Sequence, residues 1–88
     1  MRILVKETPT MSSAELCRRN NWIPGTFLNN TAGFFEIQIQ ITAIGEDKVL
    51  ARRMAIRDVG GPWNFDPCSE QVWTDLSSYR PAAQVKPH

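Results

Sequence analysis

Between Phe35 and Ala43 apolar and polar residues alternate without interruption. Phe35, Ile37, Ile39, Ile41 and Ala43 fall on one side of an extended chain, and Glu36, Gln38, Gln40 and Thr42 on the other. This period of two predicts a strand with its isoleucines turned inward. Gly45-Glu46-Asp47-Lys48 then reads as a hairpin connection, and Val49 to Arg57 returns as a second strand. Leu50, Met54 and Ile56 share one face of that strand, while Arg52 interrupts it. A β-bulge near Arg52-Arg53 reconciles the pattern.

The pattern before Phe35 is different. Met11 to Trp22 carries Ser12 and Glu15 at capping-box spacing, with Met11 and Leu16 placed as a hydrophobic staple. This predicts a helix of about two turns ended by Asn20-Asn21. Its inner face holds Ala14, Leu16 and Cys17, and on its outer face Glu15 can reach Arg18 and Arg19. So short a helix is unstable alone in water and must dock on a sheet. Pro24-Gly25 suits the centre of a type II turn, Thr26-Phe27-Leu28 starts a strand, and Asn29 to Gly33 reads as a loop.

After the hairpin, residues 58–71 form a long polar loop that carries two large aromatics, Trp63 and Phe65. Val72 to Leu76 is a last short strand, and Tyr79-Arg80-Pro81 closes the domain. The order of elements predicts a mainly β (α+β) chain with one short N-terminal helix. Two forms fit: a small curled antiparallel sheet, or an SH3-like partly open barrel of 4–5 strands. Residues 11–81 make the single domain. Residues 1–10 are an extension or edge strand (Ile3, Leu4 and Val5 before Pro9), and residues 82–88 a mobile tail.

Composition narrows the function classes. Eighty-eight residues with 42% apolar content suffice for one core and stability of about 5–10 kcal/mol. A formal charge of +1 gives no general electrostatic case for nucleic acid or anionic membrane. Cys17 and Cys68 stand in no metal-ligand spacing, and His88 is the one histidine, so neither a metal nor another cofactor is expected. No apolar run approaches the ~20 residues of a membrane helix, and the opening MRILVKE turns polar too early for a secretion signal.

The segments SAELCRRNNWIPGTFL, IQITAIGEDKVLARR and VWTDLSSYRPA together resemble a family of short phage- and prophage-encoded proteins of unknown function. The shared features are an Ala-Glu-Leu-Cys helix, a Trp-x-x-Gly-Thr turn, an Ile-Thr-Ala-Ile-Gly-Glu hairpin and a closing Trp-x-Leu strand, spanning about Ser12 to Pro81. The resemblance implies a viral accessory protein acting in a host bacterial cytoplasm and transfers no active site. The chain departs from it in residues 1–10 and in the stretch NNTAGFFEIQ.

Catalysis finds little support. A nucleophile needs a base that titrates near neutrality, and His88 sits at the last position. Glu46-Asp47 belongs to a tight turn, and Gly60-Gly61 lacks the Lys-Ser/Thr of a phosphate loop. No enzyme is expected. Trp22 and Trp73 flank regular elements and read as core. Trp63 and Phe65 in their loop are either core anchors or partner contacts. Arg52, Arg53 and Arg57 form either a basic patch or an ordinary solvated face paired with Glu36, Glu46 or Asp58. The leading expectation is a non-enzymatic module that docks on a host or phage protein, one version being an inhibitor of a bacterial defence or regulatory complex. The alternatives are a nucleic-acid-binding small barrel and a homodimer paired through an exposed strand edge.

Overall fold

The structure, a computed structural model, describes residues 11–86. Helix α1 spans Ser13–Asn20, and six strands follow: β1 Phe27–Ala32, β2 Phe35–Ile44, β3 Val49–Asp58, β4 Asn64–Phe65, β5 Gln71–Trp73 and β6 Arg80–Pro81. They form one antiparallel sheet in the order β4-β3-β2-β1-β6, with β5 pairing beside β4 on the outer edge of β3. No pairing joins β4 to β6, so the sheet is open. The expected mainly β chain with one short helix is present in its open-sheet form rather than as a barrel. Residues 1–10 and 87–88 lie outside the described residues, and with them the expected edge strand of Ile3, Leu4 and Val5.

Local chemistry explains the ends of α1. The Ser12 hydroxyl oxygen accepts from the Glu15 amide at 3.1 Å, satisfying one orphan donor of the first turn. Asn21 closes the helix in the left-handed region with φ 59°, and the Trp22 amide bonds back to the Cys17 carbonyl at 2.9 Å. Arg18 does not pair with Glu15. Its guanidinium reaches the Gly45 and Glu46 carbonyls at 3.3 and 3.0 Å, clamping the β2–β3 turn to the helix. An exposed helical pair contributes only a few tenths of a kcal/mol, so a geometry that serves two backbone acceptors prevails.

The core lies between α1 and one sheet face. Ala14, Cys17, Leu28, Ile39, Ile41, Val49 and Ala51 are fully buried there, with Trp22, Leu76 and Tyr79 closing the cluster. Leu16, Ile37, Ile44 and Trp73 pack against it, and the Trp73 indole donates to the Tyr79 hydroxyl at 3.1 Å. Each fully buried isoleucine contributes about 1.5–3 kcal/mol from its area alone.

Three sequence expectations change. Asn29 to Ala32 is strand, because it pairs with Phe35 to Gln38 of β2 and leaves only Gly33-Phe34 as the connection. Gly33 at φ 63° supplies the positive angle that the first central position of a tight hairpin turn needs. In β3 the buried residues are Val49, Ala51, Met54 and Ala55; Leu50 is exposed and Ile56 only half-buried. Two register shifts cause this. Met54 is the extra residue of β3 between the pairs Gln38↔Ala55 and Ile39↔Arg53, and Thr42 that of β2 between Ile41↔Ala51 and Ala43↔Leu50. Lastly, the long loop is interrupted by β4, which pairs Phe65 with Ala55 and Asn64 with Ile56.

Candidate functional site

The helix reaches the sheet near Ile39 and Ile41 and leaves the far end of β2 uncovered. There the β1–β2 turn meets the connection that follows β3. Phe35 pairs with Asp58, and the Val59 amide donates to the Phe34 carbonyl at 2.9 Å. This pairing brings three exposed apolar residues to one end of the sheet: Phe34 is 85% exposed, Val59 57% and Phe35 50%. Phe35, expected on the inward face, is half in water because it opens β2, before the stretch around Ile39 and Ile41 that the core covers.

Beside these side chains is a shallow hollow of about 310 Å³, lined by Phe35, Ile56, Arg57, Asp58, Gly61, Pro62 and Asn64. Its wall is rigid. The Arg57 guanidinium lies 4.5 Å from the centre of the Trp63 ring, within reach of a cation–π attraction. The same group donates to Glu36 Oε1 from Nε at 2.8 Å, approaches it with Nη2 at 2.6 Å, and reaches the Gly61 carbonyl at 3.3 Å. Glu36 in turn accepts from Asn29 Nδ2 at 3.3 Å. A backbone carbonyl, a carboxylate and an aromatic face thus hold one planar cation from three sides.

The five residues singled out in the sequence therefore divide. Arg57, which lines the hollow, and Trp63 are brought together by stacking, with Trp63 half-buried. Phe65, also half-buried, stands opposite Ala55 in β4. Arg53 pairs with Asp66 at 3.2 Å. Arg52 stands opposite Gln40 and has no carboxylate partner among the described residues. The three strand arginines consequently form no continuous free cationic surface. Phe34 and Val59 were not legible as site residues: a lone phenylalanine beside a glycine and a lone valine after an aspartate carry no pattern until pairing joins them.

Other chemistry is sparse. The Cys17 and Cys68 thiols are free, one buried and one half-buried. Burial pushes the Cys17 thiol above its ordinary pKa, partly opposed by the Arg18 charge. Hydrogen bonds from the Ser77 hydroxyl and amide hold the Asp75 carboxyl below the usual carboxylate value. Among the described residues no three His, Cys, Asp or Glu side chains gather as a metal site, and no helix is long and apolar enough to cross a membrane.

Fold and surface define a class: a small open antiparallel sheet, braced by one helix, with an aromatic hairpin tip in water. Residues 11–80 match the model of DUF7241, a domain of unknown function, and the chain belongs to that family. A search of curated proteins and one of solved structures returned no match.

Proposed function

We propose that the chain is a non-enzymatic binding module whose Phe34–Phe35–Val59 tip docks on another protein. The observation that carries this reading is the exposure of two adjacent phenylalanines on a turn held by pairing on both sides. An isolated exposed apolar residue is ordinary, whereas three at one end of the sheet, near an arginine stacked on a tryptophan, have the composition of an interface centre. Rigid aromatics also lose little entropy on binding, since the backbone under them is already ordered. Taken with the phage-protein resemblance, the partner is a host or viral protein in a bacterial cytoplasm, one version being a defence or regulatory complex that the module inhibits.

Nucleic-acid binding has less support. Phosphate contacts need free cations, and Arg53 and Arg57 are committed to Asp66 and Glu36. The test is affinity capture from host lysate with the unaltered chain, Phe34→Ser, Phe35→Ser and Ile23→Ser. Ile23 is the control, being 64% exposed yet outside the tip. A protein lost with the first two variants, kept with Ile23→Ser and bound again when purified supports the reading. Equal retention by all four chains contradicts it. A salt-sensitive single-stranded nucleic acid complex that Phe34→Ser leaves intact transfers the function to the alternative.

A further inference from the structure

The sheet face opposite α1 carries a second recognition device, which uses neither Phe34 nor Val59. Gln38 belongs to the polar side of β2, yet it is fully buried. Its Nε2 donates to Asn29 Oδ1 and to the Ala83 carbonyl, each at 2.8 Å, and its Oε1 accepts from the Val85 amide at 2.7 Å. The Ala83 carbonyl and the Val85 amide are two residues apart on one stretch of chain. They are the pair of groups an extended strand shows to a neighbour, so the side-chain amide of Gln38 takes the place of a neighbouring strand's peptide group.

The direction of that amide is set by its neighbours on the same face of the sheet. Glu36, held by Arg57, can only accept, so Asn29 turns its NH₂ toward it and its oxygen toward Gln38. Gln38 must then donate to Asn29, which leaves its oxygen facing Val85. The chain Arg57–Glu36–Asn29–Gln38 thereby presents a fixed donor and a fixed acceptor to whatever extended backbone lies on this face.

Apart from the Ala82 amide, which donates to the Phe27 carbonyl at 3.1 Å, the segment now seated there contributes little else. Ala83, Gln84 and Lys86 are exposed, and only Ala82 and Val85 are half-buried. The contacts read main chain rather than side chains, which is the mark of a peptide groove and not of a core. We propose that Asn29 and Gln38 form a groove for an extended peptide, that residues 82–86 occupy it as an internal ligand, and that an extended segment of another protein replaces them. The incoming segment matches their main chain, with a carbonyl in the Ala83 position and an N–H, hence no proline, in the Val85 position.

Val85→Pro in the full chain tests this, because proline removes the N–H that Gln38 accepts while leaving Gln38 and the core unchanged. The probe is a synthetic peptide of residues 81–88, followed by amide NMR. Saturable shifts of the Asn29 and Gln38 side-chain amides at millimolar peptide, weakened at least tenfold when Gln38→Leu is added, support the groove. A folded Val85→Pro chain that shows no saturable shift overturns it, as does an unchanged affinity with Gln38→Leu. Hydrogen exchange in the unaltered chain gives a reading that no variant can spoil: the Val85 amide should exchange at least tenfold more slowly than that of Gln84. Equal rates overturn the proposal. Phe34→Ser should leave all of these values alone, so failure here and failure of the docking tip are separable.

Discussion

The guanidinium of Arg57 lies against the face of Trp63, 4.5 Å from the ring centre, while its nitrogens hold Glu36 across the neighbouring strand. One side chain therefore ties the connection after β3 to β2, and through Glu36 and Asn29 to β1. The arrangement depends on a planar cation that can stack and bond along its edge together.

Replacing Arg57 should cost more than an exposed ion pair would. Its side chain is 29% exposed and that of Glu36 18%, so solvent screens the pair only in part. Arg57→Ala is expected to lower stability by about 1–3 kcal/mol. Arg57→Lys should recover less than half of that, since an ammonium cannot stack and bond two-fold. Urea denaturation followed by Trp fluorescence measures both.

The core predicts a sharper loss. Ile39 and Ile41 are fully buried between α1 and the sheet. Either isoleucine changed to alanine should cost about 2–5 kcal/mol, a large share of the ~5–10 kcal/mol a chain of this size holds. Ile37→Ala, at a half-buried position, should cost less. Calorimetry or denaturant midpoints give the ranking.

The thiols should differ in reactivity. Cys68 is half-buried and Cys17 fully buried with its pKa raised. In native buffer a thiol reagent should label Cys68 first and Cys17 only as the chain unfolds. A raised folded pKa favours the neutral thiol, so this contribution is intact below the unfolded value of about 8.5 and is lost as pH climbs above it. Stability measured from pH 7 to 10 should decline, with Cys17→Ala showing a shallower decline.

Asp75 gives the opposite sign. The Ser77 bonds lower its folded pKa, so its contribution is present above the ordinary carboxylate value and is lost as pH falls through the lowered one. Ser77→Ala removes the hydroxyl donor and keeps the amide. NMR titration should then find the Asp75 pKa moved part of the way back toward its ordinary value.

Much of this architecture is legible in the sequence where one rule acts alone. The β2 alternation predicts Phe35–Ala43 as strand, and the strand is Phe35–Ile44. Ser12 caps the helix because its hydroxyl accepts from the Glu15 amide, and Asn21 ends it because asparagine tolerates the left-handed region. Legibility fails where long-range pairing outweighs local preference. Asn29 to Ala32 has loop composition, yet Asn29 is spent on Glu36 and Gln38 across the strand pair. Gln38 looks like a solvent-facing position until residues 83–85 come to lie on it. The tip is hidden for the same reason, since Phe34 and Val59 are 25 positions apart and meet only through one backbone hydrogen bond.

The docking tip is the central claim, and Phe34 tests it most directly because its side chain supports nothing in the fold. Thermal unfolding and partner capture should be measured side by side for the unaltered chain and Phe34→Ser. The account predicts stability within about 0.5 kcal/mol and loss of the captured protein. A Phe34→Ser chain that unfolds well below the unaltered one, or that keeps the same partner at the same affinity, would contradict it.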